Sequence, residues 1–263
     1  IAKGEYIARM DADDYSFPHR IEKQVLYLEQ HSDVDIIGTG VISFGQRRMF
    51  MSPMQGLSVQ QAKCELFFTS TLCHPSIMMR KAFVDKTSIR YDEKIKKAQD
   101  YDLWERSSVL GNIAVMPEVL LLYRLHSDQI TSKNKKEQEE TANKVRKRRL
   151  QRIGIVPSDN EYQCHLMLAG EIRSSAKLTE IQNWINKICT NNAIHTIVEN
   201  SELKRNFGKR LCLLKLKSLK LNNFSLSDFT NLLAILKNRF EMYLLLRKYG
   251  KIILKLQKEE IIC

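Results

Sequence analysis

Between Tyr6 and Ser16 the chain reads YIARMDADDYS, which sets three carboxylates within four residues directly after an apolar run. Unpaired, these charges repel one another. Clustered carboxylate oxygens suit a hard divalent cation such as Mg²⁺ or Mn²⁺, bound at roughly 2.0–2.2 Å. Because Mg²⁺ usually takes only one or two carboxylates and fills its shell with phosphate and water, a short D-x-D pattern also points to a phosphorylated ligand. A calcium loop of the helix–loop–helix type would need an oxygen ligand at its fifth position and glycine at its sixth, where this chain has Tyr15 and Ser16. The plain alternative is an acidic turn that caps the next helix, since Asp caps well and Pro18 suits a helix start.

Two further clusters bear on the choice. KKAQDYDLWER opens a predicted helix with Asp100 and Asp102. A carboxylate so placed can act as a general base tuned by its neighbours, or it can cap the helix for about 1 kcal/mol. VLLLYRLHSDQIT ends an apolar run with Arg124, His126 and Asp128, which brings cationic and metal-ligating side chains to another element end.

The elements that must position these groups alternate in type. GEYIARMD reads as a buried strand, and Ser16 and Pro18 lead into a helix with Ile21, Val25 and Leu28 at helical spacing. VDIIGTGVISFG reads as a strand whose Gly38 and Gly40 suggest a bulge or a close backbone approach. SVQQAKCELFF reads as a helix, HPSIMM as a strand, Arg80 to Lys86 as a helix start, AQDYDLWERSSVLG as a helix ended by Gly111, and NIAVMPEVLLLYRLH as a strand interrupted by Pro117. This alternation predicts an α/β layer. From KNKKEQEETANKVRKRRLQRIGI onward every periodic segment is helical.

The net charge of +12 is unevenly placed: residues 1–132 carry 16 Lys and Arg against 17 Asp and Glu, whereas residues 133–263 carry 26 against 13. Pattern and charge together divide the chain into an α/β part, 1–132, and a basic helical part, 133–263. No uncharged stretch reaches the roughly 18 residues of a membrane-spanning helix. Six dispersed cysteines without C-x-x-C spacing read as reduced thiols of a cytoplasmic protein rather than a zinc site. The basic half suits an anionic membrane surface, with VRKRRLQR and the amphipathic run Leu232–Leu256 as contacts, or a solvated helical face. It lacks the stacking and reading motifs of a nucleic-acid module, which stands as a competing class beside a non-catalytic interaction protein.

In order and type, YIARMDADDYSFPHRIEKQVLYLE, CHPSIMMRKAFV, YDEKIKKAQDYDLWERSSVLGNIAV and MPEVLLLYRLHSDQIT resemble the family 2 glycosyltransferases. These are inverting enzymes with a GT-A fold, a Rossmann-like mixed sheet with flanking helices. The resemblance implies a transferase that moves a sugar from a nucleotide-diphosphate sugar to a glycan or lipid-linked acceptor in surface polysaccharide biosynthesis, with Mn²⁺ or Mg²⁺ bound. It implies Asp100 as the base, with Gln99 where many members have Glu. It puts Asp13, Asp14 and His126 at the metal, Asp11, Asp13, Arg124 and His126 at the nucleotide sugar, and His74, Ser76 and Gln99 at acceptor or donor. It also implies a cytoplasmic enzyme, peripheral on the inner face of the membrane. The family's N-terminal βαβ region, which binds base and ribose, has no counterpart ahead of YIARMD. The expectation is therefore a segment of a longer product, with little transferase activity alone.

Overall fold

The structure is a computed structural model and describes residues 2–45, 49–125, 135–171 and 176–218. His126, Asp128 and the run Leu232–Leu256 lie outside the described residues. The chain groups into two compact units, one of Ile1–Val156 with Asn191–Glu199 and one of Pro157–Thr190 with the chain from Asn200.

The first unit is built on a mixed sheet. Its strands are β1 (Tyr6–Ala8), β2 (Tyr15–Ser16), β3 (Ile36–Phe44), β4 (Phe50–Met51), β5 (Met78–Arg80) and β6 (Ile113–Arg124). They run in the order β1-β5-β3-β6-β2, with β4 paired to β3. Among the described residues only the central β3–β6 pair is parallel; the other pairings are antiparallel. Successive strand residues face opposite ways, and the core follows that period. Ile36 and Ile113 pack with Leu66, Ile77 and Trp104 on one face, while Ile37 and Ala114 pack with Leu28 and Met78 on the other. Covered on both faces, β3 is apolar almost throughout rather than alternating.

The two glycines of β3 sit where the β3–β6 register shifts, between Val115 and Val119 of β6. A Cβ on Gly40 would lie 2.8 Å from the Glu118 carbonyl oxygen, and one on Gly38 would lie 2.9 Å from Leu72. The close approach read from the sequence is thus real. β6 also passes through Pro117 without ending, because Pro117 falls in that bulge, where no ladder hydrogen bond is asked of it.

Helices α1 (Arg20–Gln30), α2 (Val59–Glu65), α3 (Lys81–Thr87), α4 (Gln99–Leu110) and α5 (Lys135–Gln151) belong to this unit. α2 starts at a capping box in which Ser58 and Gln61 satisfy each other's backbone N–H groups. In α1 the buried stripe is Arg20, Gln24 and Leu28, whereas Ile21 is largely exposed. Leu28 is core and Val25 packs against it, as the apolar spacing predicts, so Ile21 is the exception, displaced by the polar demand of the sheet end on Arg20 and Gln24. HPSIMM is not one strand: Pro75 favours a single 3₁₀ turn, His74–Ser76, before β5 begins. Gly111 ends α4 in an extended conformation, and a Cβ there would run into the Asp35 carboxylate and Phe83.

The break near residue 132 does not coincide with the edge of this unit. Val145, Arg146, Arg149 and Leu150 of α5 are buried within it, so the basic helix belongs to the α/β unit. In VRKRRLQR, Val145, Arg146, Arg149 and Leu150 are taken up by internal contacts, while Lys147 and Gln151 stay exposed.

The second unit contains α6 (Asp159–Ala169), most of α7 (Leu178–His195) and α8 (Asn200–Ser218). A capping box at Ser158 and Glu161 starts α6, and Gly170 ends it in the left-handed conformation that glycine adopts most readily. Trp184 meets His165 edge-on in its interior, and Lys187 pairs with Glu161. Among the described residues no helix is long and apolar enough to cross a membrane.

Candidate active site

β1 and β2 lie at opposite ends of the strand order, yet only Arg9–Asp14 joins them. Six residues span at most about 20 Å, so this link must cross the end of a curled sheet. Irregular backbone there lacks ladder partners, and α1 supplies them. Arg20 Nη2 donates to the Arg9 carbonyl at 2.6 Å and to the Ile77 carbonyl at 3.3 Å. Gln24 Nε2 donates to the Ser76 carbonyl at 2.9 Å. Both side chains are fully buried, and burial lowers the Arg20 pKa. These residues carry no metal or nucleophile signature, so sequence reading passed over them.

The carboxylates of the link differ in environment. Asp11 ion-pairs with Arg9 at 3.0 Å and lines a cavity of about 370 Å³. Asp13 is exposed, and its backbone carbonyl accepts from Arg124 Nε at 2.8 Å. Asp14 is buried; its Oδ1 accepts from the Arg124 backbone N–H at 2.9 Å, and its Oδ2 has no protein partner. Burial raises the Asp14 pKa, the Arg124 N–H opposes this, and Asp13 and Asp11 add to it. Arg124, expected at the ligand, thus fastens the acidic loop to the end of β6, with its guanidinium over the Phe44 ring at 4.8 Å.

The same cavity is lined by Cys73, His74, Lys96, Lys97, Gln99 and Asp100. Asp100 and Gln99 open α4 directly after Ala98, whose φ of 51° is left-handed, an arrangement costing a non-glycine residue roughly 1–2 kcal/mol. The Asp100 carboxylate accepts from Ser70 Oγ at 3.4 Å. Burial raises its pKa, opposed by the backbone N–H groups of Tyr101 and Asp100, then Ser70, then the charge of Arg9. The result is a carboxylate more basic than usual, held by neighbours that prefer it ionised.

His74 sits edge-on to Trp104, and its Nε2 is 2.6 Å from the Tyr91 hydroxyl. Burial, then Arg9, push its pKa down to about 3, so the ring is neutral at physiological pH. Cys73 and Tyr123 also border the cavity, and burial pushes both up to about 12, which leaves the thiol and phenol protonated. Ser76, expected as a contact, is fully buried. Its Oγ donates to the Cys73 carbonyl at 2.8 Å and accepts from the Thr39 N–H, so it shapes the 3₁₀ turn beneath the cavity.

Asp11, His74, Gln99 and Asp100, separated by up to 89 positions, therefore meet in one cavity. Ser70 lines it with them, and Arg9 and Tyr91 contact Asp11 and His74, all three without any prior sequence signal. The family model described as Glycosyl transferase family 2 matches residues 1–88, which include the acidic link and His74. Around this matched region the chain is 33% identical over 141 residues to an uncharacterized glycosyltransferase of Methanocaldococcus jannaschii, covering 52% of this chain and 48% of that one. It is 33% identical over 132 residues to the amylovoran biosynthesis glycosyltransferase AmsE of Erwinia amylovora, covering 48% and 47%. The chain spans about half the length of these relatives. A crystal structure of S. aureus TarS 1–349 in complex with UDP-GlcNAc aligns with a TM-score of 0.48 at 15% identity, covering 89% of this chain and 67% of that one.

Proposed function

We propose that this chain carries the metal-diphosphate loop and the general base of an inverting glycosyltransferase. The donor is a nucleotide-diphosphate sugar, and the acceptor is a hydroxyl of a glycan or lipid-linked glycan in surface polysaccharide biosynthesis. The reading includes a cytoplasmic location, with the acceptor presented at the inner face of the membrane. The observation that carries it is the shared cavity: Asp11 of an acidic loop suited to a phosphorylated ligand lines the same space as a buried carboxylate of raised pKa, with Asp13 and Asp14 two and three residues further along that loop.

Asp100 accepts the proton of the acceptor hydroxyl as its oxygen attacks the anomeric carbon. The bond to the diphosphate breaks, and configuration at that carbon inverts. Ser70 and the first N–H groups of α4 keep the Asp100 carboxylate oriented and ionised before the transfer. General-base assistance of this kind contributes about 10²–10⁴ in rate. Arg9 holds Asp11, and Arg124 holds the loop that carries Asp13 and Asp14.

Among the described residues, no three His, Cys, Asp or Glu side chains form a ready-made metal cage. The donor set still fits Mg²⁺ or Mn²⁺, because such ions need only one or two carboxylates when phosphates complete the shell, and the buried Asp14 Oδ2 lacks a partner. Asp13, with Asp14 beside it, would hold the ion, and Asp11 would face the nucleotide sugar. Bound there, the ion would stabilise the charge of the departing diphosphate as a Lewis acid.

Asp100→Asn is expected to lose about 10²–10⁴ in kcat while donor binding is retained. Asp13→Ala should abolish the metal-dependent heat of donor binding in calorimetry. An Asp100→Asn protein of unchanged kcat would sink the base assignment, and normal metal-dependent binding by Asp13→Ala would sink the ligand role.

A further inference from the structure

A second cavity, of about 440 Å³, lies at the far end of α4, lined by Ser88, Arg90, Arg106, Val109, Leu110 and Arg152. Val109 is nine residues beyond Asp100, or about 14 Å along the helix, so this space is separate from the candidate active site. Three guanidiniums share it, and the carboxylates paired with two of them, Asp102 with Arg106 and Glu105 with Arg152, are shared with further arginines. Arg106 and Arg148 pair with Asp102, while Arg148, Arg149 and Arg152 crowd Glu105, so four guanidiniums face two carboxylates. Among the described residues Arg90 has no ion pair; its Nη1 donates only to the neighbouring Ile89 carbonyl. Beside these charges Val109 and Leu110 are 49% and 52% exposed, at the end of a helix whose other side is core.

An arginine cluster with more guanidiniums than carboxylates around a cavity favours an anion that takes several N–H donors at once, and phosphate matches the planar guanidinium fork better than it matches an ammonium. The exposed aliphatic pair adjoining it favours a ligand with an apolar portion. We propose that this cavity binds a phosphate group attached to an apolar moiety, with Arg90, Arg106 and Arg152 taking the charge and Val109 and Leu110 the apolar part. The phosphate could belong to a phospholipid headgroup or to a soluble phosphate ester. The inference does not depend on the transferase reading.

The test uses the full chain in two arms: calorimetric titration with glycerol 3-phosphate, and flotation with phosphatidylcholine vesicles prepared with and without phosphatidylglycerol. Arg90 is exposed and has no ion pair among the described residues, so Arg90→Ala is expected to fold with an unchanged melting midpoint. It should weaken binding about tenfold in at least one arm, the loss expected for one charge-assisted contact. Lys94→Ala, which removes a nearby charge outside the cavity, should not. Weakening with glycerol 3-phosphate supports a soluble ester. Weakening confined to the anionic vesicles and reproduced by Leu110→Ser supports a lipid headgroup. Binding by Arg90→Ala equal to the parent in both arms, or an equal loss in Lys94→Ala, would overturn the proposal.

Discussion

Asp100 and Asp11 are held by different means. Asp11 has a full counter-charge in Arg9 at 3.0 Å. Asp100 is hydrogen-bonded by neutral donors, with the charge of Arg9 the smallest of the opposing effects, so burial dominates and its pKa rises. Ser70 is the neighbour whose removal reads this balance most directly. Its hydroxyl favours the ionised carboxylate, so Ser70→Ala should raise the Asp100 pKa further. The base works when deprotonated; the acid limb of kcat/KM should therefore move to higher pH, with the plateau preserved and Ser70→Thr restoring the parent profile. A limb unmoved in pH–rate profiles would show that Ser70 does not tune the base. His74, already neutral above about pH 3, should contribute no limb near its ordinary value of 6.5.

At the scale of elements, the position of α4 is set by α5. Arg148 bridges Asp102 at 2.7 Å and Glu105 at 2.6 Å. Arg146 Nε donates to the Phe68 carbonyl at 2.7 Å, and Arg149 Nη2 donates to the Lys63 carbonyl at 3.0 Å. Arg149 is fully buried, and burial pulls its pKa down to about 10 despite the opposing charge of Glu105. Such clusters are sensitive to the loss of one partner, because the remaining charge stays buried without compensation. Glu105→Gln should destabilise the protein by about 3–5 kcal/mol in denaturant unfolding. Asp85→Asn, which breaks the exposed Lys81–Asp85 pair, should cost at most about 1 kcal/mol. Equal effects of the two substitutions would show that the α4–α5 cluster contributes no more than a surface pair.

For the whole molecule, the consequence is that the α/β unit needs chain well past residue 132. Val145 and Leu150 of α5 are core residues, and Val198 and Asn192 of the 191–199 segment are buried in the same unit. A chain ending at Ser132 would expose the faces they cover and leave Asp102 and Glu105 without α5. It should lose cooperative thermal unfolding and bind hydrophobic dye at ordinary temperature. A sharp melting transition for that chain, close to the parent's, would contradict this placement.

Much of the site was legible before any fold was known, because its chemistry is local. Three carboxylates in four residues after an apolar run, and an aspartate opening a helix, declare themselves by type and spacing. The longer strands and the helices of residues 20–124 were legible for the same reason, since periodicity is a property of neighbouring residues, whereas the two-residue strands β2 and β4 and the turn at His74–Ser76 were not. Tertiary structure decided what depends on distant partners. It chose Arg20 and Gln24 over Ile21 as the buried face of α1, because carbonyls of the sheet end needed donors. It turned Arg124 and Ser76 into supports of the site and brought in Arg9, Ser70 and Tyr91. It also folded a helix that looks like a solvated basic face into the core, because Asp102 and Glu105, 30 to 50 residues earlier, supply charges that no local pattern reveals.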